Sequence, residues 1–235
     1  MAIELTDISK SYGNLQVFSN LSLQVRDHAV TAILGPSGCG KTTLLNMISG
    51  VLSPDSGSIT GGEERKISYL FQEPRLLPWK TVFANVEFVL LDLLPPGERK
   101  ERVGYFLDLV GLREYSSYYP EGLSGGMRQR LAMARAFAYP ADLILMDEPF
   151  QALDLRLKIG LAKAFNTVWL KVDRTAVFVT HDIHEALMLG DDILVLSHLP
   201  AVIREVLKNP VPRTERSLQH DTILTMERKL YSLLR

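Results

Sequence analysis

The sequence predicts an α/β fold, a largely parallel sheet covered on both faces and interrupted by a helical lobe, and three observations predict it. Nearly unbroken apolar runs at 30–34, 143–146, 175–179 and 193–196 suit strands buried on both sides. Helical spacing lies between them, with Leu157, Leu161, Ala164, Phe165 and Val168 on one stripe. From Pro74 to Pro140 the strand signal disappears and several helical segments replace it.

Taken in order, short β-like runs at 3–5 and 21–25 open the chain, and the run at 30–34 leads into Gly35-Pro36-Ser37-Gly38-Cys39-Gly40-Lys41-Thr42. This octapeptide fits G-x-x-x-x-G-K-[ST], and a helix-like run at 43–48 follows it. Strand, glycine-rich loop and helix in that order predict a phosphate-binding loop of the P-loop NTPase type. Glycines let backbone N–H groups turn inward around a polyphosphate, and the positive end of the next helix adds to the attraction. Lys41 brings a point charge for the outer phosphates and Thr42 a hydroxyl for Mg²⁺. An ordinary glycine-rich turn would need neither flank. The chain is expected to bind a nucleoside triphosphate.

In the middle third, Val103, Phe106, Leu107 and Val110 form one helical stripe, bounded before by Pro95-Pro96-Gly97 and after by Gly111. Ser124 is a good N-cap for the helical run ending near Ala138, and Gly125 and Gly126 leave N–H groups accessible, which makes either a plain capped helix or a second helix N-terminus suited to an anion. The run at 143–146 ends in Asp147 and Glu148. At a strand end beside a phosphate loop, Asp147 suits magnesium binding and Glu148 suits orienting or deprotonating water. After a Pro210–Pro212 linker, Ile223, Met226, Leu230 and Leu233 predict a last amphipathic helix, either packed on the domain or forming a dimer seam.

Totals narrow the function further. With 235 residues the chain has room for a sizeable core, and 26 Lys+Arg against 27 Asp+Glu leave a formal charge of −1, so no electrostatic attraction to nucleic acid or an anionic bilayer is expected. The single cysteine, Cys39, precludes an intrachain disulfide and is compatible with a reducing compartment; in a loop of helix-terminal N–H groups its thiol is expected to ionise easily. No secretory leader is read at the N-terminus. The most apolar stretch, 82–94, contains Glu87 and Asp92 and falls short of the roughly 20 residues of a spanning helix, so a membrane role is expected to come through a partner.

The phosphate loop, LSGGMRQR at 123–130, LILMDEP at 143–149, Ala152-Leu153-Asp154 and His181 after Phe178-Val179-Thr180 together resemble the ATP-binding subunit of ABC transporters, in the right order from Ile3 to Leu196. The resemblance implies a RecA-like parallel-sheet core with an N-terminal antiparallel β region (1–73 and 141–207), an inserted helical lobe (74–140) and a C-terminal helix (208–235), all in one ATPase domain. It implies ATP and Mg²⁺ as cofactors and a head-to-tail dimer, either a homodimer or a pair with a second ATPase subunit. Each nucleotide would sit between one subunit's phosphate loop and the other's Ser124, Gly125 and Gly126, with Asp154 crossing the seam.

By motif, Tyr12 resembles the aromatic that stacks on adenine, and Gly35, Pro36, Ser37, Gly38, Cys39, Gly40, Lys41, Thr42 and Thr43 form the triphosphate cradle. Gln72 matches the residue that touches Mg²⁺ and the attacking water; Glu148 matches the catalytic carboxylate, Asp147 the magnesium partner and His181 the γ-phosphate contact. The segment Phe71-Gln72-Glu73-Pro74-Arg75-Leu76-Leu77-Pro78-Trp79 is similar to the importer group for nitrate, taurine, alkanesulfonates and pyrimidine precursors. Leu76, Leu77 and Trp79 either receive a permease helix or pack inside the lobe. Such a subunit works at the cytoplasmic face of the membrane with a permease and, indirectly, an external solute-binding protein.

Two departures stand out. The stretch 57–72 is short, which predicts a trimmed β-hairpin, and Gln151 stands where Gly or Ser is commoner, with an expected effect on the seam near Asp154 but none on the chemistry. The competing classes are an ATP-gated scaffold outside transport, which in repair and translation carries coiled-coil insertions or tandem ATPase domains, and a phosphate-loop kinase, which has no use for LSGGM.

Overall fold

In the computed structural model, which describes residues 2–62, 64–151, 153–169 and 174–235, two sheets share one molecule. The smaller is antiparallel, in the order β2-β1-β4, from β1 (Ile3–Tyr12), β2 (Leu15–Val25) and β4 (Ser56–Thr60). The larger has six strands, β5-β6-β7-β3-β8-β9, built from β3 (Val30–Leu34), β5 (Ile67–Leu70), β6 (Leu143–Asp147), β7 (Thr175–Thr180), β8 (Asp192–Leu196) and β9 (Ile203–Lys208). Its pairings are parallel except β8 with β9.

The apolar runs are continuous because the two faces of this sheet are covered by different layers. Along β3, Val30, Ala32 and Leu34 join one hydrophobic cluster and Ile33 the other. Ile144 and Met146 of β6 likewise alternate with Leu143 and Leu145, and Ala176 and Phe178 of β7 with Val177 and Val179. One cluster is closed by α1 (Lys41–Ile48) and the small sheet. The other is closed by the helical segment and by α5 (Leu155–Trp169), α6 (Ile183–Leu189) and α7 (Asp221–Leu234). Each fully buried Leu, Ile, Val or Phe adds about 1.5–3 kcal/mol relative to exposure, so the three or four such residues in each of these strands are a strong local determinant.

Between β5 and β6 lie α2 (Val82–Glu87), a 3₁₀ turn at Phe88–Leu90, α3 (Pro96–Leu109) and α4 (Gly125–Ala138). The expected stripe is buried: Val103, Phe106, Leu107 and Val110 pack against Leu131 and Ala134 in the same cluster as β3 and β6. The lobe is therefore continuous with the core. In α5, Leu161 and Phe165 are buried and Leu157 is half-buried; the side chains of Ala164 and Val168 lie outside the described set, as does Ala152. Ile223, Met226 and Leu230 of α7 are buried against the domain. Its linker is held by Asp191, whose carboxylate accepts from Val30 N at 2.9 Å and from Arg216 at 2.7 Å.

The structure corrects the opening of the chain. The runs 3–5 and 21–25 are the ends of a long hairpin whose turn passes through Gly13 at φ 58°. Polar residues on its open face mask the period, and left-handed Asp7 and Asn20 (φ 51° and 50°) accompany its register shifts. Within 57–72, where the sequence predicts a trimmed hairpin, β4 pairs with β1 and β5 with β6, in different sheets.

Candidate functional site

The loop between β3 and α1 is shaped by close approach. A Cβ on Gly40 would sit 2.5 Å from Val17 Cγ1 and 2.9 Å from Phe18 Cζ, and its φ of 98° is disfavoured for other residues. Only glycine lets α1 start there. Lys41, 6 % exposed, folds back so that Nζ donates to the carbonyls of Gly35 and Pro36 at 2.8 and 2.9 Å. Its charge is held beneath the loop before any phosphate arrives.

The ends of three parallel strands converge on the same place. A cleft of about 320 Å³ is lined by Ser37, Gly38, Gly40, Lys41, Thr42 and Thr43 from the loop and helix. Asp147, Glu148, Gln72, Gln151 and His181 line the rest. The Thr42 hydroxyl lies near enough to the Asp147 carboxyl to pull its pKa down. Burial is the largest influence on that carboxyl and, with the Glu148 charge beside it, pushes its pKa up against the opposing pull of Thr42 and Lys41. A buried acid beside a second acid suits a bound cation. Thr42, Asp147 and Gln72 carry hard oxygen donors and line one cleft, a set that fits Mg²⁺, which takes one or two carboxylates together with substrate phosphates.

Glu148 sits at φ 49°, a conformation costly for a residue with a Cβ. Its N–H donates to Val179 O at 3.0 Å, which ties the β6 exit to β7. Its Oε2 lies 2.6 Å from His181 Nδ1. Because a carboxylate only accepts, a hydrogen bond across this distance requires the proton on Nδ1. The turn that presents His181 is fixed from behind. Thr180 Oγ1 donates to Glu185 at 2.7 Å, Lys158 bridges Glu185 and Asp182 at 2.7 and 3.1 Å, and Asp182 caps α6.

Other expected residues lie elsewhere. Gly35, Pro36 and Cys39 belong to the loop but do not line the cleft. Tyr12, 51 % exposed, stands at the end of β1 with Lys10 Nζ 5.7 Å from its ring centre. Ser124 caps α4, accepting from Met127 N at 3.2 Å, and Gly125 and Gly126 form the open first turn. Asp154 caps α5, accepting from Leu157 N at 3.0 Å. Ser124, Gly125, Gly126 and Asp154 are all outside the cleft.

Two expectations are corrected. Cys39 is 2 % exposed, and burial pushes its thiol pKa up despite Lys41 nearby, so desolvation outweighs the helix terminus and the thiol is harder to ionise, not easier. Gln151, expected to leave the chemistry untouched, lines the cleft and accepts a hydrogen bond from Gln72 Nε2 at 2.8 Å.

Sequence reasoning also passed over Gln129, which is buried and donates to Pro149 O at 3.1 Å, joining α4 to the Glu148 loop. Asn85 was missed as well: fully buried, it donates to the carbonyls of Leu77, Lys80 and Thr81 and accepts from Leu77 N, pinning the loop that leaves Trp79 71 % exposed. Neither residue sits in a motif whose spacing announces a contact. Trp79 faces solvent; Leu76 alone of the three packs against the core cluster.

Comparison with known proteins points the same way as this geometry. The family profile described as ABC transporter matches residues 18–151. An uncharacterized ABC transporter ATP-binding protein of Methanocaldococcus jannaschii is 38 % identical over 241 residues, covering 98 % of this chain and 89 % of its own length. An aliphatic sulfonates import ATP-binding protein of Bacillus cereus is 36 % identical over 229 residues, covering 92 % of this chain and 90 % of its own length. Among solved structures, a dimeric ATP-binding cassette in a post-hydrolysis state with ADP and phosphate superposes with a TM-score of 0.78 at 28 % identity, over 89 % of this chain and all of that one.

Proposed function

The chain belongs to the ABC transporter family, and on that premise we propose that it is the ATP-hydrolysing subunit of an importer for a small solute of the sulfonate, taurine or nitrate kind, or a pyrimidine precursor. The observation that carries the reading is the single cleft in which Lys41, Thr42, Gln72, Asp147, Glu148 and His181, drawn from four separate stretches of chain, face one another. A phosphate cradle by itself binds; a cradle facing a carboxylate–imidazole pair can also hydrolyse.

The roles follow from the placement. Tyr12 stacks on adenine, and the loop from Gly35 to Thr43 holds the triphosphate. Thr42, Asp147 and Gln72 would hold Mg²⁺, which when bound would neutralise phosphate charge. Glu148, with its proton-accepting oxygens beside His181, orients and deprotonates the attacking water, and His181 uses Nε2 toward the γ-phosphate. Ser124, Gly125, Gly126 and Asp154 have no counterpart in their own cleft, and we assign them to the nucleotide of a second subunit, a homodimer partner or another ATPase subunit. Closure of that head-to-tail pair around ATP, and its opening after hydrolysis, supplies the movement.

Among the described residues no helix is long and apolar enough to cross a membrane, so the movement reaches the solute through a permease at the cytoplasmic face. Exposed Trp79, Phe88, Leu91 and Leu93 on the lobe are the surface we assign to it. An external solute-binding protein completes the importer. The 1–73 and 141–207 core, the 74–140 lobe and the 208–235 helical end act as one ATPase domain.

Glu148→Gln tests the chemistry. It keeps the shape of the side chain and removes its basicity, so ATP binding persists while turnover falls roughly 10²-fold to 10⁴-fold. Hydrolysis at the wild-type rate would remove Glu148 from the role of base.

A further inference from the structure

Gln151 lies three residues after Glu148 on the loop leaving β6, and Gln72 lies just past the end of β5 at the entrance to the lobe. Their side-chain amides meet across the cleft, Gln72 Nε2 donating to Gln151 Oε1 at 2.8 Å. A primary amide has one donating and one accepting end. Spending the donating end on Gln151 leaves the carbonyl oxygen of Gln72 for whatever else occupies the cleft. That is the end a hard cation or an attacking water needs, since an amide nitrogen is not a ligand for Mg²⁺. The terminal torsion of a free glutamine is broad and two-fold, so without a partner both ends are presented.

Gln151 is itself held. Its N–H donates to Glu148 O at 3.2 Å, closing a turn, and Pro149 O of the same turn accepts from the buried amide of Gln129 on α4 at 3.1 Å. The loop that sets Glu148 in its left-handed conformation thus also sets which end of Gln72 faces the cleft. We propose that Gln151 is a positioning residue that orients the Gln72 carbonyl toward the metal and water side of the site, so that the base and the cation ligand are aligned by one loop. This rests on the ATPase reading above and deepens it.

The test separates orientation from general damage. Affinity for a slowly hydrolysed ATP analogue is measured with Mg²⁺ and with EDTA in the wild-type chain, Gln151→Leu, Gln151→Glu, Gln72→Ala and the Gln72→Ala/Gln151→Leu pair. Gln151→Leu keeps the size and removes the acceptor, and it is expected to reduce the Mg²⁺-dependent gain in affinity about fivefold, the scale of one lost hydrogen bond, with EDTA affinity unchanged. Gln151→Glu keeps an acceptor for Nε2 and is expected to retain the gain. In the Gln72→Ala background, Gln151→Leu is expected to cost nothing more. The proposal is overturned if Gln151→Leu retains the full gain, if its affinity falls equally in EDTA, or if the two substitutions add. A wild-type chain that binds the analogue under neither condition overturns the ATPase reading and this proposal with it.

Discussion

Two helix N-termini in this molecule are prepared for phosphate, and they differ in how much of a site surrounds them. At α1 the loop is filled from beneath by Lys41, flanked by the ends of β6 and β7, and faced by Asp147, Glu148, Gln72 and His181. At α4 there is a capped first turn with two glycines, none of whose residues lines the α1 cleft. On the proposed reading the first holds the chemistry, and the second is a half-site that serves the nucleotide in a partner's α1 cleft.

The comparison breaks most visibly at Lys41. Lys41→Ala removes a charge-assisted contact worth about 1.5–3 kcal/mol and the ties to Gly35 and Pro36, so nucleotide affinity measured by equilibrium titration is expected to fall roughly tenfold to hundredfold. Ser124→Ala should act on the other side of the contrast. Binding by the isolated subunit is expected to be unchanged, turnover to fall about tenfold for one lost contact to a charged group, and stability to drop about 1 kcal/mol from the missing cap. A fall in nucleotide affinity equal to that of Lys41→Ala would merge the two ends into one site.

The smallest effect sharpens the chemical side. The Asp147 carboxyl has a raised pKa in the fold, so its favourable contribution is present at low pH and is lost as pH rises from the ordinary value of 3.8 through the raised one. At neutral pH the ionised group therefore opposes folding of the nucleotide-free chain. Asp147→Asn is expected to raise the melting midpoint by about 2–4 °C, the shift that about 1 kcal/mol produces at this chain length, and to make the midpoint less sensitive to pH between 4 and 7. A lower midpoint in Asp147→Asn would mean that the buried charge is satisfied within the chain.

Legibility followed the physics of each element. The strands 30–34, 143–147, 175–180 and 192–196 were readable because both faces are buried and apolar residues run without a break. β4, β5 and β9 escaped because polar or exposed residues interrupt them, as in β9, where burial alternates along Ile203–Lys208. The cleft residues were legible wherever glycine, lysine or paired acids sit at strand ends in fixed spacing. Gln151, Gln129 and Asn85 were not, because an amide's value depends on which carbonyl or amide the fold brings within 3 Å of it, and that is a property of tertiary placement. Cys39 failed in the same way: the helix terminus was visible in sequence, the burial was not.

The account stands most directly on whether ATP joins two copies through their unlike ends. Sedimentation velocity of Glu148→Gln protein with ATP and Mg²⁺ measures this without any permease. The expected result is a dimer that forms with ATP, is absent without nucleotide, and is lost when Ser124→Arg is added. A Glu148→Gln chain that binds ATP and stays monomeric at saturating nucleotide and high protein concentration, or a dimer indifferent to Ser124→Arg, contradicts it.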